Sequence, residues 1–472
     1  MTDSAEQARE TAHRIARRLA ADGPPGWRGM EAVFAMTVSV DFARAVFSDD
    51  DGSTPVEPSA PVVTLVREHR EQTAGLGDGP WWRMLLSMTE SGEIEVDYDY
   101  GDEPFPDGQL FPPEAYRADL NEYPRDWLPV WLAAYVGHGD RQRRSPRQAA
   151  EAARADRAAN VWSELATNEF PDFPLMWARW ATISAAFVAV GSDWGPRVLP
   201  ALGWFESSRR AGSTLYVLPG DRAVLSGGVW GAPSLDAAYK YNDGAPLPGL
   251  FAGAPEWVAD PVLNPRSGTG LLSFCYWWEG DRWYRGESPS ADQCSTAVPG
   301  VWTADIVSDM VAKLAADRPT GHQQRAAQML VSVAEQGVVT RDALVHVFGD
   351  DARRDIDSAL YQFSTAGLTN ALPPQELPEE QAILRVRQYI EAQGMDTTGY
   401  PLSELVADRF SIGWMVFVPV PRGGMAIGRA IFYVDDDGVL EPSSSSVAPS
   451  TFIAGFERRF RKRHTPAIWS PD

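Results

Sequence analysis

The stretch Glu93-Ile94-Glu95-Val96-Asp97-Tyr98-Asp99-Tyr100 alternates acidic and apolar residues without a break. Successive side chains of a strand point to opposite faces, so Ile94, Val96, Tyr98 and Tyr100 share one side. Glu93, Glu95, Asp97 and Asp99 share the other. A helix would scatter both sets around its axis. The pattern predicts a strand with one buried face, and four carboxylates in a row suit only a surface open to solvent or to a basic partner.

Reading outward, Thr89-Glu90-Ser91-Gly92 offers a turn whose glycine accepts positive φ, and residues 81–88 supply the other strand of a hairpin. Residues 4–21 read as an amphipathic helix ended by Gly23-Pro24-Pro25-Gly26. Strands are expected over 30–47, a helix over 61–74 and helical structure over 125–135. Together these predict an acidic α+β domain over residues 1–136. The Arg-rich stretch 137–147 reads as a linker into a Trp-rich α+β domain (137–304), with a hairpin of 271–278 and 282–285 around Glu279-Gly280-Asp281. Residues 305–371 read as a helical connector. A last α+β domain, 380–472, has a helix at 380–393, strands at 414–420 and 430–434, and a helix at 449–463. The expected fold class is α+β, with several small domains whose antiparallel hairpin sheets pack against helices.

Composition narrows the function. The 472 residues are 44% apolar and 11% aromatic, which suits packed globular structure. The net charge is −22, and residues 1–140 hold 26 Asp and Glu against 11 Arg and no Lys, a net of −15. Such a field repels nucleic acid and anionic membrane and steers basic proteins inward. The N-terminus lacks the basic and apolar segments of a signal peptide, and the longest apolar run, 183–191, falls short of the ~20 residues that span a bilayer. The expected setting is cytoplasmic. Cys275 and Cys294 are too few for a disulfide framework or a cysteine zinc site.

Catalytic signatures are missing. The chain has no Walker phosphate loop, GxGxxG, HExxH or GxSxG, and its six histidines are scattered. No catalytic residue, metal or cofactor is expected. Glu93-Ile94-Glu95 matches the E-x-E pair of some ADP-ribosyl-transferring sites but lacks their Ser-Thr-Ser strand. A ladder of four acids is also poorly built to separate two pKa values for glycoside cleavage. Asp435-Asp436-Asp437-Gly438 lacks the ligand pattern of a calcium loop and reads as a solvated turn. Residues 324–369 carry too few unbalanced bases to read DNA. Arg458, Arg459, Arg461, Lys462, Arg463 and His464 form one basic patch, read as a solvated helix end.

Two segments resemble known families. Residues 1–136 resemble the YezG-type immunity proteins of bacterial toxin systems, on an N-terminal helix, a strand region, a helix and the Trp-led hairpin Trp82-Arg83-Met84-Leu85-Leu86 to Ser91-Gly92-Glu93-Ile94-Glu95-Val96-Asp97-Tyr98-Asp99-Tyr100. Residues 380–464 resemble the YrhB-type immunity domains, on Gly413-Trp414-Met415-Val416-Phe417 and Gly428-Arg429-Ala430-Ile431-Phe432-Tyr433-Val434-Asp435, with the turn Asp437-Gly438-Val439 after them. The resemblance implies non-enzymatic neutralisation of a toxin domain by docking on it, and it leaves residues 145–370 unmatched.

The expectation is a protein-binding function. Glu93, Glu95, Asp97 and Asp99 would meet a basic toxin or effector domain, with Trp81 and Trp82 as neighbouring anchors. The alternatives are an enzyme acting on a carbohydrate or nucleotide around Trp277, Trp278, Glu279, Arg282 and Trp283, or a structural scaffold of a larger assembly.

Overall fold

Apolar residues at three- and four-residue spacing in the first helix, and at two-residue spacing in the strands after it, build the main core of the N-terminal region. The computed structural model describes residues 2–77, 79–240, 244–369, 377–420 and 428–464, apart from the side chains at 2–4, 458 and 461–464. The fold is α+β with antiparallel sheets, in two compact units, Met1–Leu368 and Thr369–Asp472.

The first unit opens with α1 (Thr2–Asp22), β1 (Gly29–Met36), β2 (Asp41–Ser48), β3 (Ser53–Val56), α2 (Ala60–Thr73), β4 (Arg83–Thr89), β5 (Ile94–Asp99), α3 (Pro113–Glu122) and α4 (Val130–Gly137). The five strands pair in the order β3-β2-β1-β4-β5. Met30, Phe34, Phe47, Met84 and Leu86 form the inner face, packed against Ile15 and Leu19 of α1 and Val62 and Val66 of α2. The opposite face is covered at one end only, where Phe105, Phe111, Tyr116 and Trp131 pack with Ala35 and Trp82.

A buried ion pair fixes that partial cover. Arg70 of α2 meets Asp119 of α3 at 2.8 Å, with both side chains nearly inaccessible. The second Asp119 oxygen accepts the Val38 N–H at 2.8 Å, and Arg70 Nε donates to the Trp81 carbonyl at 2.9 Å. One carboxylate thus ties α3 to α2 and to the β1–β2 turn.

The chain continues through α5 (Pro146–Ala158), β6 (Glu164–Leu165), α6 (Phe173–Ala189), β7 (Arg197–Leu199), β8 (Leu202–Glu206), β9 (Gly212–Leu218), β10 (Arg222–Gly228), α7 (Pro233–Tyr239), β11 (Phe274–Glu279) and β12 (Arg282–Arg285). These strands form a seven-stranded sheet, β6-β12-β11-β10-β9-β8-β7. Helices α8 (Ala304–Ala315), α9 (Gly321–Glu335), α10 (Arg341–Phe348) and α11 (Ile356–Thr365) follow.

Two expectations about this region change. Residues 137–147 are stitched down rather than spanning as a linker: Gln142 donates to the Leu272 carbonyl at 2.8 Å and accepts its N–H at 3.0 Å. The part of the expected connector that lies in the first unit, residues 305–368, is not a connector either. Val311, Leu330, Leu344 and Phe363 share one core with Trp180 of α6 and Leu225 and Tyr276 of the sheet. Arg179 pairs with Glu335 at 2.7 Å, and Trp177 donates to the Ala366 carbonyl at 2.9 Å. Amphipathic helices bury their stripes on whatever apolar face is nearest, and α6 is apolar nearly all round.

The second unit holds α12 (Glu379–Ala392), β13 (Val406–Phe410), β14 (Gly413–Phe417), β15 (Ala430–Asp435), β16 (Leu440–Ser444) and α13 (Pro449–His464). Its sheet runs β13-β14-β15-β16. Val386 and Ile390 of α12 pack with Val416 and Phe432. Phe452 and Phe456 of α13 lie against Tyr433.

His69 is buried in the N-terminal unit's core, where its Nδ1 accepts the Trp81 indole N–H at 3.3 Å and its Nε2 lies 3.0 Å from the Tyr98 hydroxyl. Nδ1 as acceptor places the proton on Nε2, which donates to Tyr98. Burial disfavours the imidazolium and lowers the pKa from 6.5 to about 4. The unfolded chain therefore binds this proton first as pH falls. Stability is complete above pH 6.5, declines through the window down to about 4, and the total loss is about 3 kcal/mol. Denaturant titrations of the wild type and His69→Gln at pH 7 and 4.5 should show that the variant lacks this increment of acid sensitivity.

Candidate functional site

The uncovered part of the five-stranded sheet is built row by row. Leu85 of β4 pairs with Asp97 of β5, and Ser87 with Glu95. On the other side of β4, Leu85 faces Val33 and Ser87 faces Glu31 of β1. Val33 then faces Arg44 of β2, and Glu31 faces Val46. The rows Asp97-Leu85-Val33-Arg44 and Glu95-Ser87-Glu31-Val46 thus cross four strands on one face. Val33, Val46 and Leu85 are half-buried, whereas Glu31, Arg44, Glu95 and Asp97 are exposed. The surface is a shallow groove of about 690 Å³ with an apolar floor, carboxylates at the β5 edge and across the floor, and Gln109 at its covered end.

Electrostatics keep this face tolerable without a partner. Glu95 and Asp97 lie two residues apart on one strand, roughly 7 Å, where repulsion in water is about 0.6 kcal/mol. Glu31 stands two strands away, roughly 10 Å, about one Debye length in physiological salt. A cationic surface settling on the groove would remove this repulsion and cover the floor at the same time.

The four acids do not act as one ladder. Glu95 and Asp97 project from the outer face as expected, and Glu93 is exposed in the turn before β5. Asp99 is committed elsewhere: it pairs with Arg83 at 2.6 Å and accepts the Gly101 N–H at 2.8 Å. Arg83 also donates to Gln109 at 2.7 Å. Trp81 and Trp82 are not anchors. They are 0% and 1% exposed, on opposite faces of the sheet, Trp81 in the inner core and Trp82 under Tyr116 and the Arg125 guanidinium. An indole at the mouth of a strand that is wedged between helices fills the core before it can reach a partner. Glu31, Val33, Arg44 and Val46 escaped sequence reading, because their membership of the groove depends on β1 being the central strand.

The Trp cluster around Trp277 does not form a pocket. Trp277 lies on one face of the seven-stranded sheet, stacked on Tyr284, and Trp278 lies on the other, edge-on to Trp283. All three tryptophans are buried. Glu279 and Arg282 face each other as the last pair of the β11–β12 hairpin. Cys275 and Cys294 are unpaired and buried, and burial raises both thiols, Cys294 to about 12, so neither supplies a thiolate.

Among the described residues no group of His, Cys, Asp and Glu could hold a metal ion. The turn at Asp435 is not a solvated one: Asp435 is fully buried and accepts the Val439 N–H at 2.8 Å, while Asp436 pairs with Arg409 at 2.7 Å. Of the C-terminal bases, Arg459 pairs with Glu441 at 2.6 Å. The side chains of Arg458, Arg461, Lys462, Arg463 and His464 lie outside the described ones. No described helix is long and apolar enough to cross a membrane. Comparison with protein-family models and with curated proteins returned no match.

If the groove is a surface and the tryptophans are core, substitutions separate them. Replacing Glu95 and Asp97 together by Ser should move the unfolding free energy by no more than about 0.5 kcal/mol. Trp82→Ala should cost about 3–5 kcal/mol. Chemical denaturation followed by circular dichroism checks both.

Proposed function

We propose that the chain is a non-catalytic, immunity-like protein that docks the outer face of its five-stranded sheet onto a basic toxin or effector domain in the cytoplasm. The observation that carries this reading is the exposed set Glu31, Glu95 and Asp97 around the half-buried strip Val33, Val46 and Leu85. Interfaces of moderate affinity combine an apolar centre with a charged rim. Opposite potentials raise the rate of encounter and penalise wrong partners. The resemblance of residues 1–136 to YezG-type immunity proteins points to the same mode of action, and the acidic balance of the region suits a basic nuclease as target.

The test is growth rescue against a basic toxin domain encoded beside the gene, combined with binding kinetics on the purified pair. Glu31→Lys, Glu95→Lys and Asp97→Lys in one chain should abolish rescue and slow association by about tenfold or more at low salt. A charge-matched control, Glu6→Lys, Glu10→Lys and Glu57→Lys, alters acids that are exposed outside the groove and should retain rescue. Equal loss in both chains, or no protection by the wild type, would contradict the reading.

A further inference from the structure

A second concavity, unrelated to the acidic face, opens beside the ends of β10, β11 and β12. Its volume is about 620 Å³, within the range of pockets for small organic ligands. Trp162 lines it and, at 71%, is the most exposed of the described tryptophans. An exposed indole at the mouth of a cavity offers a flat apolar face on which a ligand can lie.

The frame around Trp162 is built rather than accidental. Gly253, at φ +68°, lies so close to the backbone of Trp162 and Ser163 that a Cβ there would come within 2.2 Å of the Ser163 nitrogen. Its N–H donates to Asp156 at 2.9 Å. The loop carrying Gly253 is joined to the segment after β12 by two hydrogen bonds: Glu287 N–H donates to the Gly249 carbonyl at 3.1 Å, and Gly249 N–H donates to Glu287 Oε2 at 2.6 Å. Trp162 and Glu287 are therefore seated on one loop-to-strand frame, and only glycine permits the contact at 253.

The polar groups facing this space are mixed in kind. Glu287 keeps its Oε1 without a hydrogen bond among the described residues. Among the described residues the Ser234 hydroxyl has no hydrogen-bond partner, and Gln293 uses its carbonyl oxygen on Ser290 and keeps its amide donors. Arg285 is engaged by Glu164 at 3.0 Å and Glu169 at 3.1 Å. With Glu164, Arg285 and Glu287 on the lining, the charge balance is negative, which opposes a phosphate or carboxylate. A cation would meet a carboxylate with one oxygen already held by the Gly249 N–H, beside donors that repel it. A neutral polyol fits all of them, since each hydroxyl both donates and accepts, and its C–H face can lie on an indole.

We propose that this pocket binds a neutral saccharide, with Trp162 as stacking platform and Glu287, Ser234 and Gln293 as hydroxyl partners. Isothermal titration of the full chain with maltotriose, cellotriose and triacetylchitotriose tests it. At least one should bind with a Kd of about 1 mM or tighter. Trp162→Ala should weaken that binding by about tenfold or more, with Trp162→Tyr restoring part of it. Glu287→Gln should weaken it several-fold, because Gln retains the bond to Gly249 but not the charged acceptor. Thermal unfolding of each variant should match the wild type, so that loss of binding is not loss of fold. Failure of all three trisaccharides, binding unaffected by Trp162→Ala, or tighter binding of AMP or agmatine would overturn the assignment. None of these results bears on the acidic face.

Discussion

Ile94, Val96 and Tyr98 can reach the N-terminal core only if Glu95 and Asp97 turn outward, because a strand has two faces and no third direction. Slipping the register by one residue would drive two carboxylates against Met84 and Leu86 and put three apolar side chains in water. Several kcal/mol oppose that slip. The acidity of the outer surface is therefore a consequence of how the core is filled. The same pairing sets Leu85 and Val33 beside those acids and gives the groove its apolar floor.

What keeps the groove from being covered is a second, buried constraint. Asp119 holds α3 to Arg70 and to the Val38 amide, so the segment carrying Phe105, Phe111 and Trp131 caps only the end of the sheet near Ala35 and Trp82. Removing either partner of such a pair leaves an uncompensated charge in the core, typically worth about 3–5 kcal/mol. The exposed face and the covered one are thus parts of a single arrangement, in which one charge pair inside decides which charges remain outside.

Much of the fold could be read from the residues. The hairpin at 81–100, the first helix, the strands within 30–47 and the helix near 61–74 follow from period-two and period-3.6 patterns with clear glycine turns. The third helix, Pro113–Glu122, escaped because its proline-rich entry resembles a loop. The short strand Ser53–Val56 contains a proline and lies at the sheet edge, where propensity says little. Local pattern cannot reveal that residues 305–368 complete the core around α6, since that depends on contacts far apart in sequence. The candidate site was half legible. Alternation found Glu95 and Asp97, but strand order was needed to add Glu31, Val33 and Val46, and burial was needed to withdraw Trp81, Trp82 and the Trp277 cluster. Asp99 was lost to Arg83, a partner sixteen residues away on the adjoining strand.

Carboxyl footprinting of the native chain, using a carbodiimide with a small amine and peptide mass spectrometry, tests the outward-facing acids most directly. Glu31, Glu95 and Asp97 should be modified in the first phase, Asp99 more slowly, and Asp119 only on unfolding. Modification of Glu95 and Asp97 that waits for denaturation would contradict the account, because it would place both carboxylates beneath other parts of the protein.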